Sequence, residues 1–261
     1  MNFYLPEEVI DADLYRQLIS LKVDKYLAHL KIDESGFSTR TRDVKLHLDT
    51  LNVCSANIHN SSAVNILEIG AGFGRCALQI KKYFPNINYF PLVHTQFDCG
   101  SLELFKNVNG KFDILTEDEF NNSKIIDFLY YEIVDSIPFI KSNTIDFIFS
   151  IYTYNVIPRN DVLIRDLWRV LKIGGIAAVP YPMEYKYIGG ESKYRFGTWA
   201  KIYDVNNNEI HYFDLLKKHG YNLCYNKLYS ANIIKDQDTD FKIIIEPIMD
   251  DNNIVAYREI A

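Results

Sequence analysis

A carboxylate followed by glycines at every second position, Glu68-Ile69-Gly70-Ala71-Gly72-Phe73-Gly74-Arg75, is the part of this chain best suited to chemistry. The apolar run from Ile66 leads into it and a helix-like segment follows, so it reads as strand, tight turn and helix start. Glycine has no β-carbon, so a ligand can press against the backbone, and N–H groups at a helix start hold an anion. The dinucleotide fingerprint is Gly-x-Gly-x-x-Gly. Here the third glycine comes one residue early, which disfavours a nicotinamide-dependent oxidoreductase.

The second chemically loaded stretch is 180–210, which carries Tyr181, Tyr185, Tyr187, Tyr194, Phe196, Trp199 and Tyr203. Up to Tyr203 it has four bases (Lys186, Lys193, Arg195, Lys201) against two acids (Glu184, Glu191), a local +2 in a chain of net charge −6. Aromatic rings with Arg and Lys suit a substrate that has a stacking surface and an anionic group, such as a nucleotide-linked sugar or another phosphorylated small molecule. The alternative is a hydrophobic lid with lysines lying along its surface.

The elements that must position these stretches alternate between strand and helix, the pattern of a parallel sheet with crossover helices. Strands are expected at 66–69, 88–93, 128–134, 145–150 and 176–179. A helix carrying Cys76, Ile80 and Phe84 follows the glycine turn, and another covers 98–106. A clearer helix begins at Asn160 or Asp161, carries Leu163, Leu167, Val170 and Leu171 on one face, and ends at Gly174-Gly175. A short helix spans 213–219, and 223–228 with 241–246 are expected to form an antiparallel pair. Residues 107–124 read as a polar insertion. Before all this, residues 1–60 read as a helical cap, with Leu14, Leu18 and Leu21 spaced along one face and Asp11 or Asp13 capping its start. The expected division is therefore a cap over 1–60 and a main domain over 61–261, with 180–210 as a substrate lid.

Bulk properties exclude several classes. The net charge of −6 argues against nucleic acid as a partner. Cys54, Cys76, Cys99 and Cys224 are dispersed, so no zinc site is expected and reduced core thiols are the simplest reading. No apolar run is long enough to span a membrane, and the N-terminus lacks a signal-peptide pattern, so the expected compartment is the cytoplasm.

Four segments carry a family resemblance. The glycine turn resembles the first motif of class I S-adenosylmethionine (SAM)-dependent methyltransferases. Asp135-Ser136-Ile137-Pro138-Phe139 with Asn143–Ser150 is similar to that family's segment around strand four. Leu167–Gly175 is similar to its "RVLKPGG" helix end, and Phe213–Tyr221 to its late "LLxxxGF" segment. The four lie in the family's order over residues 64–246. The resemblance implies an α/β, doubly wound Rossmann-like sheet, SAM as cofactor and methyl transfer as the activity. It also resembles bacterial saccharide and small-molecule O-methyltransferases, which implies a hydroxyl acceptor.

Carried onto this sequence, the cofactor site comprises Glu68, Gly70, Ala71, Gly72, Gly74, Arg75, His94, Thr95, Asp135, Ser136, Ser150 and Ile151. The turn and helix start suit the cofactor's carboxylate, and Glu68 its ammonium. In this fold the ligand lies across the carboxyl ends of the strands. Two positions depart from the family. The acid that accepts from the ribose hydroxyls at the end of strand two is replaced by His94 or Thr95, with Gln96 or Asp98 as substitutes. The adenine-reading position falls on Asp135, or on Glu132.

O-methylation also needs a base for the acceptor's proton. Candidates are Tyr152, Tyr154, His94 and Glu184, while His211 is expected only to lead into the following helix. Asp146 reads as a strand-entry residue rather than a catalytic one. No carboxylate cluster for a metal can be assembled, and the amine-methylating "NPPY" type of motif is absent after strand four. A degenerate methyltransferase fold that binds without catalysing is the non-enzymatic alternative. The oligomeric state is not encoded in any of these features.

Overall fold

The computed structural model describes residues 6–19, 64–71, 87–93, 129–150, 153–154, 157, 160–180, 201–225, 230–251 and 253–260. The chain divides into two compact units, Met1–Glu132 and Ile133–Ala261.

In the first unit three parallel strands lie in the order β3-β2-β1: β1 is Asn65–Ile69, β2 is Asn88–Val93 and β3 is Leu129–Tyr130. β1 is buried along its whole length, as expected of a continuous apolar run in a sheet covered on both faces. β2 carries Pro91, which cannot donate to a ladder. Val93 accepts from Tyr131 on the β3 side, so Pro91, two residues earlier, also turns its nitrogen that way. The ladder with β3 begins only at Leu92, so the missing N–H leaves no rung unmade.

β3 is shorter than the expected 128–134. Tyr131 N–H turns to β2, so Tyr130 N–H turns to the outer side, where it donates to the Tyr15 hydroxyl at 2.8 Å. Tyr15 belongs to α1, Ala12–Leu18, whose N-cap Asp11 accepts from Leu14 N–H at 3.0 Å. Burial pushes the Tyr15 phenol up, partly offset by this bond. The remainder of the expected 1–60 cap lies outside the described residues, as do the helix after the glycine turn, the 98–106 helix and the 107–124 insertion.

In the second unit β4 (Ile145–Ser150) pairs in parallel with β5 (Leu171–Pro180). α2 (Asn160–Val170) connects them and starts where expected, but it stops before the expected Gly174-Gly175, leaving Leu171 to open β5. β5 pairs antiparallel with β9 (Ser230–Ile234), and β9 with β8 (Asn222–Tyr225). β5 starts earlier than the expected 176 because Leu171 already pairs with Ile145. The ladder then shifts past a turn at Gly174-Gly175. Gly174 has φ +82°, and a β-carbon on Gly175 would sit 2.9 Å from the Lys172 carbonyl oxygen and 3.1 Å from those of Ile145 and Asp146. Both glycines are thus required, for different reasons.

A second, four-stranded sheet has the order β10-β11-β6-β7: β6 is Lys201–Tyr203, β7 Glu209–Ile210, β10 Ile244–Asp250 and β11 Asn253–Ile260. This corrects the expected partnership of 223–228 with 241–246. The first pairs with β9, and β10 pairs with β11. The last residues of the expected 180–210 lid form the β6–β7 hairpin, while 181–200 lie outside the described residues. The hairpin turn is closed by Asp204, which accepts from the N–H groups of Asn206 and Asn208 at 2.9 Å each. Those bonds, with Asn208 N–H foremost, hold the Asp204 carboxyl below its ordinary value. α3 (Tyr212–Lys218) follows and buries Tyr212, Phe213, Leu215 and Leu216. The parallel strands, their helical crossover and the buried apolar runs make this a mixed α/β, Rossmann-like fold.

Candidate functional site

In the first unit, β1 delivers Glu68 to its carboxyl end and the chain then turns sharply. Gly70 has φ +77°, a conformation that suits glycine and strains any other residue. The N–H groups of Gly70 and Ala71 both donate to the Leu92 carbonyl, at 2.9 and 3.0 Å. These two amides therefore brace the turn against the end of β2, and a ligand's anionic group must look to later positions. Gly72, Gly74 and Arg75 lie outside the described residues, as do His94 and Thr95 after β2.

Glu68 is 2% exposed and carries its carboxylate inside the unit. Burying a carboxylate is costly unless it is hydrogen-bonded or paired. Tyr89 on β2 supplies one such bond, its hydroxyl donating to Glu68 Oε2 at 2.7 Å. The register explains the reach. Tyr89 lies opposite Ile66, so Glu68 is its diagonal neighbour on the same face, within range of a long aromatic side chain. Sequence spacing did not single out Tyr89, because an aromatic on a buried strand reads as packing. Only the register turns it into a partner for Glu68.

In the second unit, Asp135 and Ser136 are half-buried, and the Ser136 hydroxyl donates to Asp135 Oδ1 at 2.9 Å. The segment directly after them is clamped by α2. Ile137 N–H donates to Asp166 Oδ2 at 2.6 Å, and Arg169 donates to the carbonyls of Ile137 at 3.2 Å and Ile140 at 2.8 Å. Asp166 Oδ1 in turn accepts from Arg169 Nε at 2.5 Å. This pair holds the backbone next to Asp135 and was not foreseen. Its signal was Arg169 inside the family-like helix end, three residues from Asp166.

At the end of β4, Ser150 is buried and its hydroxyl accepts from Tyr154 N–H at 2.9 Å. Tyr154 itself is fully buried, so its ring is part of the core. Ile151, Tyr152 and Glu184 lie outside the described residues. Asp146 forms an ion pair with Lys172 at 2.8 Å, a contact at the entry of β4. His211 is the N-cap of α3, its Nδ1 accepting from Phe213 N–H at 3.3 Å. Burial holds its imidazole below the ordinary value, with Asp214 opposing.

Among the described residues no group of three or more His, Cys, Asp or Glu could hold a metal ion. Among them, too, no helix is long and apolar enough to cross a membrane.

Residues 67–179 match the family described as "Methyltransferase domain". No curated protein matches the chain. Solved structures with similar coordinates include a proposed sarcosine dimethylglycine methyltransferase from Galdieria sulphuraria (20% identity, 53% of this chain and 46% of that one, TM-score 0.37). They also include the YcgJ protein of Bacillus subtilis (20% identity, 53% of each chain, TM-score 0.34). A third is a SAM-dependent methyltransferase from Aquifex aeolicus (15% identity, 75% of this chain and 97% of that one, TM-score 0.39). The chain spans about half the length of the first two.

Proposed function

We propose that this chain, whose residues 67–179 match the methyltransferase domain family, transfers a methyl group from S-adenosylmethionine to a hydroxyl of a small molecule, a sugar or sugar nucleotide in the first instance. The observation that carries the proposal is the strand-to-turn junction. There a buried carboxylate, Glu68, stands two residues before a positive-φ glycine, Gly70, at the carboxyl end of a buried parallel strand.

The donor set fits the cofactor. Glu68 suits its ammonium, and a helix start expected from the sequence after the glycine turn would suit its carboxylate. Asp135, held next to the Asp166–Arg169 clamp, is the group we assign to the adenine amino group. Ser136, whose hydroxyl donates to Asp135, and Ser150, at the end of β4, are the further residues we assign to the cofactor. His94 and Thr95 stand where a ribose-binding acid is usual, and a neutral imidazole or hydroxyl there gives weaker bonds than a carboxylate.

When bound, S-adenosylmethionine supplies a methyl group on a sulfonium, open to in-line displacement. The chain's own part is to align the acceptor, exclude water and take the hydroxyl proton. Tyr154 is fully buried, so the proton acceptor falls to Tyr152, His94 or Glu184. The aromatic and basic composition of 181–203 supports an acceptor with a stacking surface and an anionic group.

Isothermal titration with S-adenosylmethionine and S-adenosylhomocysteine tests the core of this reading. No heat with either ligand at high protein concentration sinks it. Binding with no methyl transfer to any member of a broad sugar and sugar-nucleotide panel would instead identify a binding protein built on the same fold.

A further inference from the structure

The geometry points to Tyr89 as a positioning residue for the cofactor: its hydroxyl orients the Glu68 carboxylate, and through it sets how tightly the chain holds the amino-acid end of its ligand. The inference rests on the role proposed for Glu68 and adds a residue on a different strand. Three observations combine. Glu68 is 2% exposed and Tyr89 7% exposed, so the bond between them is shielded from water. At 2.7 Å it is a normal, well-formed O–H donation to a carboxylate, the stronger class of hydrogen bond. The register Ile66 to Tyr89 places the two side chains on one face as diagonal neighbours, so the contact follows from strand pairing rather than from a loop.

A carboxylate turns about its last side-chain bond with little preference, because that sp³–sp² torsion is broad. Fixing one oxygen on a phenol removes this freedom before the ligand arrives. The turn is braced from the same strand, since Leu92 on β2 receives both Gly70 and Ala71 N–H. β2 thus controls both the backbone and the carboxylate of the junction.

The test compares two ligands in the full chain. S-adenosylhomocysteine carries the ammonium; 5′-methylthioadenosine keeps adenosine and sulfur but lacks the amino-acid end. Tyr89→Phe removes one hydroxyl and keeps the ring. It should weaken S-adenosylhomocysteine by about tenfold, the range for a hydrogen bond to a charged group, and change 5′-methylthioadenosine by less than about twofold. In a Glu68→Gln background Tyr89→Phe should add little, because the partner it orients is gone. Equal weakening of both ligands would mean a packing role and overturn the inference, as would no change in either. If Glu68→Gln alone leaves S-adenosylhomocysteine unaffected, the role of Glu68 fails and the inference with it. If the unaltered chain binds neither ligand, the cofactor reading is what has failed. A thermal melt of each variant separates misfolding from these outcomes, and if Tyr89→Phe does not fold, Tyr89→His serves as the second variant.

Discussion

Replacing Arg169 by lysine keeps the charge and removes the fork, which isolates what the guanidinium does for the backbone beside Asp135. Arg169 donates from Nη1 to Ile140 O at 2.8 Å, from Nη2 to Ile137 O at 3.2 Å and from Nε to Asp166 at 2.5 Å. A lysine ammonium is a point donor on a flexible stem and cannot satisfy three directions at once. With Asp166 its natural partner, the two carbonyls lose their bonds. Ile137 and Ile140 are fully buried, so water cannot readily replace these bonds. Two hydrogen bonds from a charged donor, discounted because a third of the Arg169 side chain is exposed, amount to about 2–3 kcal/mol. For a chain of this size that lowers the melting temperature by about 4–10 °C. The effect should also reach the cofactor. Asp135 and Ser136 directly precede the clamped Ile137, so if 1 kcal/mol of lost restraint passes to them, the dissociation constant for S-adenosylhomocysteine rises about fivefold. Differential scanning calorimetry and isothermal titration read the two quantities. A variant that melts within about 1 °C of the parent, with unchanged binding, would refute the clamp as a positioning device.

Two further substitutions probe the frame around the site. Gly175→Ala places a β-carbon against three backbone oxygens at 2.9–3.1 Å and should cost about 1–3 kcal/mol in urea denaturation, whereas a midpoint equal to the parent's would show that the turn within β5 yields freely. His211→Asn keeps a side-chain cap on α3 but removes a titrating group. Because burial lowers the His211 value below 6.5, the unfolded chain binds the proton first, and stability present above that value is lost as pH falls through it. The variant should show a flatter melting profile between about pH 7 and pH 5.5, and identical slopes for both proteins would count against the assignment.

How much of this was legible in the sequence depended on how local the signal was. β2 and β4 match the expected bounds, α3 falls within a residue of its own, and α2 starts where expected but ends at Val170, before Gly174. Each is set by its own apolar period and its own breakers. Strand partners are not a local property. The stretches 223–228 and 241–246 were expected to pair, yet the strands found there, 222–225 and 244–250, belong to different sheets. A strand's alternation shows which face is buried but not which strand lies beside it. The hairpin at 201–210 was hidden for a related reason: its two strands are three and two residues long, too short to leave a period. β3 was overestimated because its apolar run continues past the point where pairing stops.

The same distinction separates the parts of the site. Glu68 and Gly70 are visible in sequence because a turn needs glycine at a particular step and a carboxylate is conspicuous before it. What holds them is not visible there. Leu92 carries no chemical signal, yet its carbonyl takes the first two amides of the turn. Those two amides are thus engaged within the protein, which leaves an incoming carboxylate to positions later in the sequence than Ala71. It follows that the glycines have divided roles. Gly70 is needed for backbone conformation and for docking the turn on β2, whereas Gly72 and Gly74 are the positions where a missing β-carbon can matter to a ligand. Substitution at Gly70 should therefore act first on folding, and substitution at Gly72 or Gly74 first on cofactor affinity.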